Sequence, residues 1–287
     1  MSRKIRILML VIAALAVVFT LGCGRGSKAP AEKTSIDIKG SDTMVNLMSN
    51  LAETYMTAHP GINIAVTGGG SGTGIAALLN GTTDICAASR MMQQKEIDLA
   101  HSKTIEPVET VVGMDGLAVM VNKNSFIDSL TLDQLRQIYI GEITNWSVLG
   151  GPDQEITLLS RESNSGTHVY FKEHVLNKSD FAARALLMPS TATIVQEVIN
   201  NNFAIGYGGV AYALNSDVKI VGIKKDADTP SVLPTDESVK SGEYPIARPL
   251  FLYTNGQPQG LIKQFIDYTL TPDGQKIVLE TGYVPMR

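Results

Sequence analysis

Apolar and polar positions follow two rhythms along this chain. SIDIKG, residues 35–40, alternates with a period of two and predicts a strand. From Thr43 to Ala58 the apolar residues Met44, Leu47, Met48, Leu51, Ala52 and Tyr55 recur every three or four positions, which predicts a helix closed by Pro60-Gly61. INIAVTG reads as the next strand, the glycine-rich residues 68–72 open a second helix to about Asn80, and DICAAS is a third strand. TVVGMDGLAVMVNKN is long, apolar and punctuated by glycine, as suits a strand that crosses from one domain to another. A helix (LTLDQLRQIYIG), a loop with Trp146, and the strand EITLLS follow. Then come a helix over 191–200, the strand FAIGYG and a charged, proline-containing stretch over 224–245. ARPLFLYTN reads as a second crossing strand, and LIKQFIDYTL and TPDGQKIVLETG as two closing helices. This alternation predicts an α/β fold with a largely parallel sheet.

The first two dozen residues are of another kind. Arg3, Lys4 and Arg6 precede an apolar run of 14 residues, Leu8 to Leu21. A bilayer span needs roughly 20, so the run has the length of a signal-peptide core. It ends in Thr20-Leu21-Gly22-Cys23, which resembles a bacterial lipobox although Thr20 and Leu21 depart from the usual residue types. Residues 1–22 are therefore expected to be cleaved, Cys23 to be lipidated, and residues 23–34 to form a polar tether. Cys86 is then alone and no intrachain disulfide is possible. Loss of the leader takes the net charge from −4 to −7, which argues against nucleic acid as a partner. Net charge does not argue against a small anion, because local donors govern a buried site.

Three strand-to-helix turns carry the same chemistry: Gly40-Ser41-Asp42-Thr43-Met44, the glycine loop 68–74 around Ser71, and Ser160-Arg161-Glu162-Ser163-Asn164-Ser165-Gly166-Thr167. Each sets hydroxyls and free backbone N–H groups at a helix N-terminus, where an anion is favoured. Singly they are ordinary N-caps. Three together, one with an arginine whose fork fits an oxyanion, point to a shared anion site beyond the carboxyl ends of the strands. Asp84, at the start of the third strand, adds a carboxylate that accepts a hydrogen bond only from a ligand still carrying a proton. Monohydrogen phosphate carries one and sulfate does not. The competing reading has Asp84 cap a strand or pair with Arg90.

Catalytic readings are weaker. The loop around Ser71 lacks the last glycine of a nucleophile elbow, and no lysine makes it a phosphate-binding NTPase loop. Gly72-Thr73-Gly74-Ile75-Ala76-Ala77 fits only a loose dinucleotide pattern. His59, His101, His168 and His174 show no metal-ligand spacing.

GSDTM, GGGSGTG with TTDICAASR, LTLDQLRQIYIGEITNW, SRESNSGT and GQKIVLETGYVP together resemble the phosphate-binding proteins of bacterial phosphate-specific ABC transporters, over nearly all of residues 35–287. The resemblance implies a type II periplasmic-binding fold: two α/β lobes joined by two crossing strands, with residues 35–112 and 247–287 in one lobe and 113–246 in the other. It implies a monomer outside the cytoplasm that catalyses nothing, needs no cofactor or metal, and delivers inorganic phosphate to membrane permease subunits. Carried over by position, it implies phosphate contacts from Ser71, Asp84, Arg161, Ser165, Gly166 and Thr167. The first loop departs from the family pattern, which leaves Ser41 and Thr43 both as candidates and Asp42 as a cap or a further acceptor. Binding of sulfate, molybdate or tungstate, or an exported serine hydrolase or phosphatase activity, are the alternatives.

Overall fold

The computed structural model describes residues 33–286. The leader, the tether and the lipidation expected at Cys23 lie outside these residues. Strand β1 (Ser35–Gly40) pairs in parallel with β2 (Asn63–Thr67) and β3 (Ile85–Ala88). Helix α1 (Val45–Ala58) follows a 3-10 turn over Asp42–Met44 and buries Leu47, Met48, Leu51, Ala52 and Tyr55, the face its periodicity predicts. Helix α2 (Ser71–Leu79) starts directly from the glycine loop, and α3 (Gln94–Ser102), which the pattern did not reveal, follows β3.

Strand β4 (Pro107–Asn122) is the outward crossing. The second lobe contains β5 (Ser129–Thr131), α4 (Leu132–Ile140), β6 (Thr157–Arg161), α5 (Gly166–His174), β7 (Leu186–Met188) and α6 (Thr191–Asn200). Next come β8 (Ala204–Gly209), α7 (Val210–Leu214), β9 (Val218–Lys224) and α8 (Asp236–Lys240). The chain returns on β10 (Ala247–Asn255) and closes with α9 (Gly260–Thr269) and α10 (Pro272–Glu280).

The main strand order is β2-β1-β3-β10-β4-β8-β6-β7, with β9 paired to β4 and β5. The sheet is mixed, which corrects the expectation of a largely parallel one. The chain leaves on β4 and returns on β10, so these strands run antiparallel to each other, and β10 is antiparallel to β3 as β4 is to β8 and β9. Strand β4 pairs with β10 as far as Gly116, then with β8 from Leu117. Each side of this exchange has its own apolar core. Ile36, Ile38, Leu47, Leu51, Leu250 and Phe265 pack on one side; Leu117, Val119, Leu135, Trp146, Phe171 and Tyr207 pack on the other. Two cores joined by two strands make a cleft, and the loops after β1, β3 and β6 and the glycine loop meet at it.

Candidate oxyanion-binding site

The predicted loops converge. Ser41 Oγ donates to Ser89 Oγ at 2.9 Å, and Ser71 Oγ lies 3.4 Å from Ser89 Oγ and accepts the Ser89 N–H at 3.1 Å. From the other lobe, Thr167 Oγ1 meets Thr43 Oγ1 at 3.0 Å. Ser41, Thr43, Ser71, Ser89, Ser165 and Thr167 are all buried. Ser165 caps α5, its hydroxyl accepting the His168 N–H. Gly166, the first residue of α5, lies so close to the first lobe that a Cβ there would stand 2.3 Å from Ser71 Oγ and 2.8 Å from Ser89 Oγ. The positive end of a nine-residue helix is thereby set against a ring of hydroxyls.

The loops are also held to each other by backbone. Gly72 N–H donates to the Asn164 carbonyl at 2.9 Å, and the Asn164 amide donates to the Gly69 carbonyl at 3.0 Å. Gly70 permits this approach: its φ is +91°, and a Cβ would sit 2.7 Å from the Asn164 oxygen.

Arg161 ends β6 at 1% exposure. Its Nη2 donates to Asp42 Oδ2 at 2.7 Å and to the Pro189 carbonyl, Nη1 donates to Thr191 Oγ1, and Nε to the Met188 carbonyl. Burial works against the charge and Asp42 supports it; burial prevails, drawing the guanidinium below its ordinary pKa. Asp42 does not cap the helix: it opens the 3-10 turn, whose N-cap is Ser41. Its second oxygen accepts the Gly69 N–H at 2.8 Å, so one carboxylate joins the first loop, the glycine loop and the opposite lobe.

Asp84 is not brought to this cluster. It precedes β3, whereas Ser89 follows it, and its carboxylate accepts the Asp37 N–H at 2.9 Å. Strand β3 separates the two by roughly 16 Å, at about 3.3 Å per residue. Asp84 lines a surface cavity with Thr83, Thr254 and Gln259 at the amino end of the strand, the end opposite the converging loops. Arg90 does not pair with it either: Nη1 and Nη2 grip Glu96 at 2.7 and 2.8 Å. Burial pushes the Glu96 carboxyl up, but Arg90 and the Gln93 N–H outweigh this and hold it below its ordinary value.

Three residues of the cluster escaped sequence reasoning. Ser89 ends DICAAS one position beyond the strand. Asp115 and Arg248 lie inside the crossing strands, where TVVGMDGLAV and ARPLFLYTN read as apolar. A lone charge within each run, central at Asp115 and next to the start at Arg248, was the available signal. They are direct cross-strand partners on β4 and β10, buried to 0% and 1%. Arg248 Nε and Nη2 donate to Asp115 Oδ2 at 3.1 and 2.8 Å, and Nη2 also donates to Thr167 Oγ1 at 3.0 Å. Asp115 Oδ1 accepts the Val210 N–H. Burial pushes the Asp115 carboxyl up, against the pull of Arg248 and this N–H.

Apart from its backbone N–H on Ser165, His168 is engaged elsewhere, and its ring lies 3.5 Å from Ser160 Oγ. Its Nδ1 bonds the Arg161 carbonyl at 2.8 Å, the ring stacks on Phe181, and burial lowers its pKa. A ring of hydroxyls bordered by a helix N-terminus and buried guanidinium groups suits the binding of an anion.

Residues 26–273 match the family model of the PBP superfamily domain. A phosphate-binding protein PstS of Pseudomonas aeruginosa is 33% identical over 276 residues, covering 90% of this chain and 85% of that one. The PstS of Bacillus subtilis is 32% identical, with 100% and 95% covered. The chain belongs to the PstS family of the PBP superfamily. Among solved structures, a Clostridium perfringens protein described as a substrate-binding protein of a phosphate ABC transporter, with phosphate bound, superposes with a TM-score of 0.80 at 30% identity. That match covers 88% of this chain and all of the other. An ABC-type phosphate transport receptor of Vibrio cholerae gives 0.70 at 30% identity, covering 87% and 99%.

Proposed function

We propose that this PstS-family chain binds inorganic phosphate outside the cytoplasm and hands it to the permease of an ABC importer. The observation that carries the reading is the N-terminus of α5 set against hydroxyls from both lobes, with Gly166 in contact distance of Ser71 and Ser89. Ser41, Thr43, Ser71, Ser165, Gly166 and Thr167 supply neutral donors, and Arg161 a charged edge. A tetrahedral anion in this ring exchanges its hydration shell for charge-assisted hydrogen bonds in a dry cleft. Relatives and a solved neighbour named for phosphate supply the chemical class.

With Asp84 at the far end of β3, the carboxylate left to prefer a proton-bearing oxyanion is Asp42, whereas both oxygens of Asp115 are engaged by Arg248 and the Val210 N–H. A fully ionised sulfate would set acceptor against acceptor there, and an unpaired buried acceptor costs about 1–3 kcal/mol or more. Lobes 35–112 with 247–287, and 113–246, close about β4 and β10, so that closure reports occupancy to the permease. The chain acts as a monomer without a catalytic step, tethered to the membrane by lipid on Cys23. Titration calorimetry of ligand-stripped protein tests the reading. Saturable heat with phosphate and little with equimolar sulfate is expected, and equal or stronger binding of sulfate, molybdate or tungstate would replace phosphate as the ligand.

A further inference from the structure

Three buried guanidinium groups lie near the cleft, and they differ in what remains free on each. An arginine has five N–H donors. Arg161 spends four on Met188, Thr191, Asp42 and Pro189. Arg90 directs both terminal nitrogens to Glu96, with Nη1 also bonded to the Met91 carbonyl, so its unpartnered Nε lies behind a closed fork. Arg248 is arranged the other way. Its Nε and Nη2 are bonded, while Nη1 is fully buried and has no hydrogen-bond partner among the described residues. Nη1 shares its carbon with Nη2, and Nη2 touches the Thr167 hydroxyl that meets Thr43.

A buried, unpartnered charged donor is costly unless a ligand satisfies it. We infer that Arg248, held by Asp115, is a second cation of the oxyanion site, with Nη1 donating directly to a phosphate oxygen and Asp115 acting as its positioning residue. Side-on engagement by Asp115 fixes the guanidinium plane and leaves the far terminal nitrogen unbonded, one carbon from the Nη2 that contacts Thr167. Because Arg248 and Asp115 are cross-strand partners on the crossing strands, this cation is fixed to the hinge strands, and its placement does not depend on the proposed closure. Arg161 instead reaches across the cleft to Asp42. The inference rests on the proposed phosphate binding and adds a residue that none of the strand-to-helix turns contains.

The test compares wild-type protein, Arg248→Lys, and the double variant Asp115→Leu/Arg248→Met, each titrated with inorganic phosphate and melted with and without it. Removing both charges leaves no buried ion unpaired, so the double variant is expected to fold with a melting temperature close to wild type. Its phosphate Kd should rise on the order of 100-fold, as loss of a charge-assisted bond to an ion implies. Its phosphate-induced rise in melting temperature should largely disappear. Arg248→Lys, which keeps the charge but not the fork, should fall between the two. A folded double variant that binds phosphate within threefold of wild type would overturn the role of Arg248 and leave the phosphate reading intact. Should the double variant not fold, Arg248→Lys with a wild-type Kd would overturn it alone. Failure of the wild-type protein to bind phosphate would remove both.

Discussion

Two arginine–aspartate pairs border the site, and they join different things. Arg161 and Asp42 come from opposite lobes, 119 positions apart in the chain, and Asp42 keeps 17% of its surface in water. Arg248 and Asp115 face each other across two paired strands and are both buried. The first contact spans the cleft, so the proposed closure would make and break it. The second ties the two crossing strands to each other, so the proposed closure would leave it in place. One fold thus uses the same ion pair as a latch and as a floor, and the distinction lies in which elements each pair connects.

The comparison breaks most visibly at the floor. Asp115→Ala leaves Arg248 buried without a counter-charge and is expected to lower stability by about 3–5 kcal/mol in urea unfolding. Arg161→Ala should act mainly on the ligand, weakening phosphate about 100-fold by calorimetry while shifting the ligand-free unfolding midpoint much less. Equal destabilisation by both changes would erase the difference between latch and floor. Gly166→Ala adds a methyl 2.3 Å from Ser71 Oγ. It should force the helix N-terminus away from the hydroxyl ring and cost about tenfold in phosphate affinity, roughly 1.4 kcal/mol.

A pH dependence sharpens the latch. Burial keeps His168 neutral and its pKa below the ordinary 6.5. The unfolded chain therefore takes up the proton first as pH falls. This contribution to stability is complete above about pH 6.5 and declines as pH drops toward the lowered folded value. His168→Asn should flatten that part of the melting-temperature profile between pH 7.5 and 5. The smallest effect is expected at the far end of β3. Asp84→Asn should change the phosphate-to-sulfate affinity ratio less than twofold, and a larger change by competition titration would return Asp84 to the site.

Much of this is legible in the sequence. The face of α1, the glycine loop and the loop at Ser165–Thr167 follow from local periodicity and N-terminal chemistry; the first packs into the core and the two loops meet at the cleft. Strands β5 and β7 escaped because three residues carry little period, and the seven-residue β9 was passed over beside the charged stretch that follows it. Asp84 was assigned to the site by its proton-accepting chemistry and by the resemblance, although it opens β3 and the polar turns gather beyond the carboxyl ends of the strands.

The sequence by itself determined the fold class, the three polar turns and their family resemblance, since these rest on residues close together in the chain. Tertiary structure decided which charges matter. Asp42 meets Arg161 and Asp115 meets Arg248 across 119 and 133 positions, and burial gives those meetings their energy. No local pattern records which distant strand will bring a counter-ion, or which guanidinium nitrogen will be left without one.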